Sequence, residues 1–156
     1  MNIVKKIASE QYKDLVEKVA KKLRKIQIPR GGWIFVTRNA LGMSATGLAG
    51  RMGVTRQNIS KAERNELSGS ATLKTMETMA EGMGCRFIYA IVPENSVEDI
   101  LTERARVKAT RMVERVTNHS ALEDQALSEK QIAGEIKRLQ DELLKEMPSD
   151  FWNDEV

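Results

Sequence analysis

Apolar residues recur with a helical period at the start of the chain. Val4, Ile7, Ala8, Leu15, Val19, Leu23 and Ile26 mark a helix over 3–27 with a lysine-rich face opposite. Pro29, Gly31 and Gly32 in "IPRGGW" end it. The next stretch, "WIFVTRNAL" at 33–41, has the β-branched and aromatic content of a strand. It reads better as a helix, because Trp33, Val36 and Ala40 share one face and Gly42 supplies a C-terminal stop.

From Ser44 the apolar spacing is helical but interrupted. Ser44 is a good N-cap, and Leu48, Ala49 and Met52 then face one way. Gly53 allows the positive backbone angle of a tight turn, Val54 points back inward, and Thr55 caps a new helix whose inward residues are Ile59 and Ala62. Two helices joined by a short glycine-containing turn make a helix-turn-helix unit. A further helix is predicted over 72–84, with Thr72 as its cap and Leu73, Met76, Met79, Ala80 and Met83 as its stripe.

"CRFIYAIVP", residues 85–93, is almost wholly apolar and reads as a short β-strand with both faces covered. A lone buried strand leaves backbone groups unpaired, so its partner is expected to be either the same strand of a second chain or residues 33–37. Beyond Pro93, "SVED", "SALE" and "SEKQ" mark helix starts, which predicts helices over about 96–118, 120–127 and 129–147. The middle pair also reads as one continuous helix. Pro148 is the stop, and Phe151 and Trp152 in "PSDFWNDEV" are expected to dock on the protein's own core.

Charge sharpens this division. Residues 1–30 carry net +6, residues 31–93 net +3 and residues 94–156 net −6, within a chain of 156 residues and net +3. Three segments follow: a basic N-terminal helix over 1–30, a helix-turn-helix domain plus strand over 31–93, and an acidic helical tail over 94–156. Basic parts suit a polyanion, whereas the acidic part faces water or a protein. With 41 % apolar and 30 % charged residues the chain is globular. It has no run of about 18 apolar residues and no apolar leader, so neither a membrane span nor a secretory signal is expected. A single cysteine, Cys85, fits a cytoplasmic location.

The second helix of the unit carries the candidate chemistry. Arg56, Gln57, Asn58, Ser60 and Lys61 lie at its outward positions, and no acidic residue intervenes before Glu63. "MSATGLAGRMGVTRQNISKAERNE" resembles the Xre type of helix-turn-helix, the lambda-repressor and Cro class. The wider stretches "PRGGWIFVTRNALGMS", "TLKTMETMAEGMGCRFIYAIVPE" and "VTNHSALEDQ" are similar to the family called mobile mystery protein A, from about Pro29 to Gln125. The resemblance implies a mainly α, lambda-repressor-like core with one short β-strand and helical extensions at both ends. It also implies a DNA-binding autorepressor or an antitoxin-like protein encoded beside a Fic-domain partner. The Xre pattern usually carries a phosphate-binding glutamine just after the cap of its first helix-turn-helix element; here that position is Ala45. Gly47 and Gly50 inside the same helix each cost roughly 1 kcal/mol against alanine, so packing must hold it.

The expected DNA-reading set is therefore Arg56, Gln57, Asn58, Ser60, Lys61 and Arg64, with Gln57 suited to adenine and Arg56 to guanine or phosphate. Arg38, Ser44, Thr55, Asn65, Ser68, Ser70 and Lys74 are expected to bind backbone phosphates and fix register. A homodimer on an inverted repeat follows from the short half-site that one such unit reads. The tail is expected to dimerise the chain or bind the Fic-domain protein. The inhibitory Fic motif, Ser/Thr-x-x-x-Glu followed by Gly or Asn, is missing: Glu77 and Ala90 stand four residues before Glu81 and Glu94. Catalysis is not expected, since His119 and Cys85 are far apart and form no ligand or nucleophile cluster. No cofactor or metal is implied.

Overall fold

The computed structural model describes residues 2–121 and 127–154. Among these the secondary structure is entirely helical: α1 (Ile3–Leu23), α2 (Trp33–Ala40), α3 (Ala45–Met52), α4 (Arg56–Ser68), α5 (Leu73–Gly82), α6 (Val97–Ala121) and α7 (Glu129–Glu146). They belong to two compact units. One contains residues 25–90, and the other joins residues 1–24 to residues 91–156.

The first unit is built from α2 to α5 around one apolar centre. Ile34, Leu48, Ala49, Ile59, Ala62, Met76, Met79 and Met83 are buried in it, with Met43, Met52, Val54, Ala71 and Phe87 packed at its edge. Leu48, Ala49, Ile59, Ala62, Met76, Met79 and Met83 are inward as their periods predict, but Leu73, expected in the α5 stripe, is 51 % exposed, and the departure is larger in α2. There the buried pair is Ile34 and Arg38, while Trp33 and Val36 are exposed. The expected face of α2 is therefore turned, because Arg38 is drawn inward to a carboxylate of α4. Close approach also constrains composition at Gly82, where a Cβ would lie 2.6 Å from Cγ of Met52. Any side chain there would have to displace Met52, and the Gly82 carbonyl accepts a hydrogen bond from Nε of Arg51 at 3.0 Å.

The expected β-strand is absent. Residues 85–93 have no regular secondary structure, and no strand occurs among the described residues. A strand exists only through a ladder with a neighbour. The candidate partner within the chain, residues 33–37, lies in α2. The Cys85 amide is spent instead on the Ala80 carbonyl at 2.8 Å, closing the end of α5. Nor are both faces covered: Phe87 packs on the core, but Ile88 and Tyr89 are about two-thirds exposed and Ile91 is 94 % exposed. Apolar composition predicted burial, but burial depends on a ladder partner, and none occurs among the described residues.

In the other unit α6 and α7 pack along each other, and α1 lies against α6. Glu17 on α1 accepts a 2.6 Å hydrogen bond from the Val97 amide at the start of α6. The apolar stripe expected on α1 is only partly buried. Of that stripe Ala8, Val19 and Leu23 are half-buried and Val4, Ile7, Leu15 and Ile26 are exposed, while the one α1 residue fully enclosed, Ala20, was not in it. The helix start expected at Ser120 is not seen, since α6 runs on through Ala121. The rest of that stretch, 122–126, lies outside the described residues. At Ser128 a full capping box forms: Ser128 Oγ accepts from the Gln131 amide, and Gln131 Oε1 accepts from the Ser128 amide. After α7, Phe151 folds back into the core with Ala105, Ala109 and Leu143, whereas Trp152 stays more than half exposed. Of the two tail aromatics expected to dock, one does.

Candidate nucleic-acid interface

The helix-turn-helix is assembled by local hydrogen bonds that the sequence specifies. Ser44 Oγ accepts from the Gly47 amide at 2.9 Å and starts α3. Gly53 adopts φ 66° and ends it, while the Val54 amide reaches back to the Ala49 carbonyl at 3.0 Å. That bond and the Gly53-to-Gly50 bond at 3.4 Å satisfy the last carbonyls of α3 and turn the chain sharply. Thr55 Oγ1 then accepts from the Asn58 amide at 3.2 Å, which opens α4. Ile59 and Ala62 are buried in the core, where α4 packs on α3 and α2.

With that face buried, helical geometry fixes the opposite one. Gln57, Lys61, Arg64 and Ser68 stand at i, i+4, i+7 and i+11 along one line of α4, and all four are exposed. Arg56 and Asn58 flank its first turn, also exposed, and Ser60 and Asn65 are half-buried. Arg56 borders a shallow depression at the start of α3 together with Ser44, Ala45 and Thr46. Thr46 was not singled out from the sequence. It brings an exposed hydroxyl to the turn where Ala45 offers none; the only signal for it was a polar residue in the first turn after a cap. Ser44 and Thr55 both accept from backbone amides and keep their own hydroxyl hydrogens to donate.

The carboxylates of α4 are turned away from this surface. Glu63 Oε1 accepts from Arg38 Nε at 2.8 Å. Glu66 accepts from the Trp33 amide at 2.5 Å and the Ile34 amide at 3.0 Å, capping α2 through its side chain. Gly32 precedes this cap with φ 81°, and a Cβ there would sit 2.8 Å from a Glu66 oxygen. The outward line of α4 is consequently free of negative charge, in a unit that carries nine Lys/Arg and four Glu over residues 25–90.

Arg38, expected at the backbone phosphates, is largely buried. Its side chain is 9 % exposed, donates to Glu63 and to the Met43 carbonyl, and lies over the Phe35 ring at 5.4 Å. It ties α2 to α4 and to the α2–α3 turn through Nε and Nη1, and it also lines the depression bordered by Ser44 and Arg56. Lys74 is exposed near the start of α5 with Glu77 at 3.6 Å. Ser68, the last residue of α4, shares a 2.8 Å hydrogen bond with Ser70, whose amide also closes on the Asn65 carbonyl. Those groups sit at the far end of α4 from Arg56. No cluster of three or more metal-ligating side chains occurs among the described residues, and no helix described is long and apolar enough to cross a membrane.

Comparison with known proteins agrees with this geometry. Residues 37–89 match the helix-turn-helix family, a span that begins inside α2 and runs past α5. That segment is similar to helix-turn-helix domains, and the match covers about a third of the chain. No curated protein and no solved structure matches the chain.

Proposed function

We propose that the chain is a sequence-specific DNA-binding transcriptional regulator that reads the major groove with α4. One observation carries this reading: an acid-free, exposed line of Gln57, Lys61 and Arg64, flanked by Arg56 and Asn58, on the second helix of a helix-turn-helix. Gln57 is the side chain suited to bidentate contact with adenine, and Arg56 to guanine or a phosphate. Lys61, Arg64, Asn58 and Ser60 share base and backbone contacts. The hydroxyls of Ser44, Thr55 and Thr46 and the side chains of Asn65, Ser68, Ser70 and Lys74 supply positioning contacts to phosphate oxygens. Arg38 supports the scaffold rather than the DNA.

One α4 spans only a half-site, so two copies on an inverted repeat are the natural assembly. The proposed operator is DNA ahead of the chain's own gene, and repression is the proposed outcome. The resemblance to mobile mystery protein A, and with it an antitoxin-like role beside a Fic-domain protein, rests on the quoted sequence stretches; the helix-turn-helix match does not reach it. A footprint on DNA upstream of the gene tests the reading. Two protected half-sites about one helical turn apart are expected. Uniform, sequence-independent protection would overturn it.

A further inference from the structure

Three cations of α6, at i, i+4 and i+7, reach residues 150–154 after α7, Arg104 and Lys108 through several bonds and the half-exposed Arg111 through one. Arg104 donates from Nε to the Phe151 carbonyl at 2.8 Å, from Nη2 to the Asn153 carbonyl at 2.6 Å, and from Nη1 to the Asp154 carboxylate at 2.8 Å. Lys108, only 3 % exposed, donates to the Asp150 carbonyl at 2.5 Å and to its carboxylate at 3.0 Å. Arg111 reaches the Asp154 carbonyl at 3.2 Å. Between these polar contacts Phe151 is inserted to 1 % exposure, beside the fully buried Ala105 and Ala109. Trp152 packs edge-on to Phe151 and lies 5.8 Å from the Arg104 guanidinium.

This is the chemistry of peptide recognition. One aromatic anchor fills an apolar recess floored by Ala105 and Ala109 and walled by larger side chains such as Leu143. Charged donors grip backbone carbonyls that any peptide has, and two flanking carboxylates add selectivity. The bound segment has no helix or ladder of its own; its internal backbone hydrogen bonds are two turns, Phe151 to Pro148 and Asn153 to Asp150, both 2.9 Å. Its hinge carries strain, because Met147 holds φ 43° as a non-glycine residue directly before Pro148.

We propose that the α6–α7 groove is a binding site for a short acidic, aromatic peptide, which this chain fills with its own residues 150–154. The occupant in trans is a segment of the same chemistry, an aromatic anchor with a carboxylate on either side, presented by another protein. The cis tail competes with it at an effective concentration on the order of millimolar, and so sets the threshold that a partner must exceed. The site is independent of DNA reading by α4, so the two stand or fall separately.

The test uses the full chain and a fluorescently labelled peptide of residues 148–154, PSDFWND. Phe151→Ala in the chain weakens the cis tail and leaves the groove free. The peptide is expected to bind this variant about tenfold or more tighter than the unsubstituted chain, which is about 1.4 kcal/mol. A peptide carrying the same Phe→Ala change is expected not to bind, and Lys108→Met added to the Phe151→Ala chain is expected to abolish binding. Circular dichroism checks that the variants keep their helices. Should Phe151→Ala not fold, Asp150→Ala with Asp154→Ala loosens the tail through exposed carboxylates and leaves Phe151 in place. No anisotropy change with any folded tail-weakened chain at roughly millimolar protein would overturn the proposal, as would equal binding of the Phe→Ala peptide.

Discussion

Nε of Arg38 on α2 donates a 2.8 Å hydrogen bond to the carboxylate of Glu63 on α4, with both side chains largely removed from solvent. This contact does two things at once. It locks α4 against α2, and it withdraws a negative charge from the helix proposed to approach DNA. Breaking one partner strands the other in a low-dielectric site, which costs about 3–5 kcal/mol in a fully buried pair and less where some exposure remains. Glu63→Ala is therefore expected to lower the urea midpoint of the helix-turn-helix unit strongly. Glu63→Ala with Arg38→Met is expected to recover much of the loss. Equal midpoints for the single and double variants would show that the pair is not coupled.

Base reading is predicted to concentrate at Gln57. Gln57→Ala should cost about 1–3 kcal/mol on the preferred operator and relax preference at one base pair, with no change in stability. Competition gel shifts against single-base operator variants measure this. An unaltered ranking of those variants would remove Gln57 from the reading set.

Lys61 and Lys74 separate two kinds of contact. Lys74→Ala should weaken all DNA sequences alike and reduce the slope of log K against log salt by about one. Lys61→Ala should reduce the slope and also lower discrimination, because Lys61 lies on the line that contains Gln57. Arg38→Met, in contrast, should leave the slope unchanged in the protein that remains folded. Titrations at several salt concentrations distinguish the three.

The turn between α3 and α4 is predicted to tolerate only glycine well. Gly53 sits at φ 66° with open space around it, so Gly53→Ala meets no clash, only backbone strain. A loss of about 1–2 kcal/mol is expected. Gly82→Ala fails for a different reason, since its Cβ would press on Met52 at 2.6 Å. Gly82→Ala with Met52→Ala should therefore relieve the clash, whereas Met52→Ala should do nothing for Gly53→Ala. Thermal melts of the four variants check this pattern.

Acid is predicted to release the tail from α6. Hydrogen bonding to Lys108 first, then its charge, holds the Asp150 carboxyl below the usual value of 3.8. Arg104, with help from Arg111, does the same for Asp154. A carboxyl whose pKa is lowered in the folded chain contributes its stability fully above the unfolded value and loses it as pH falls through the folded one. Docking of the tail should thus be constant above about pH 4–5 and weaken below it. Trp152 fluorescence in a Trp33→Phe chain reports the change. A release midpoint near neutral pH would mean that other groups control the tail.

Much of the α-helical framework was legible because it is written in local chemistry. Ser44, Thr55, Thr72 and Ser128 cap the helices that follow them, and Gly53 turns the chain where its spacing requires. The outward set on α4 was also readable, since burial of Ile59 and Ala62 at a period of 3.6 leaves only one opposite face. Residues 85–93 were misread because strand formation is a property of a pair of segments, not of one. Arg38 was expected on the surface for the same kind of reason: its fate depends on Glu63, twenty-five residues later.

By itself, the sequence determined the starts of the helices that Ser44, Thr55, Thr72 and Ser128 cap and the inward face of α3 and α4, because caps, glycines and periodicity act within a few residues of one another. Only the tertiary structure decided which charges remain available. It turned Glu63 and Glu66 toward α2, took Arg38 inward, and folded Asp150–Asp154 onto Arg104, Lys108 and Arg111. Those outcomes depend on distances between residues far apart in the chain. Electrostatic pairing and desolvation are set by such distances, which no local pattern encodes.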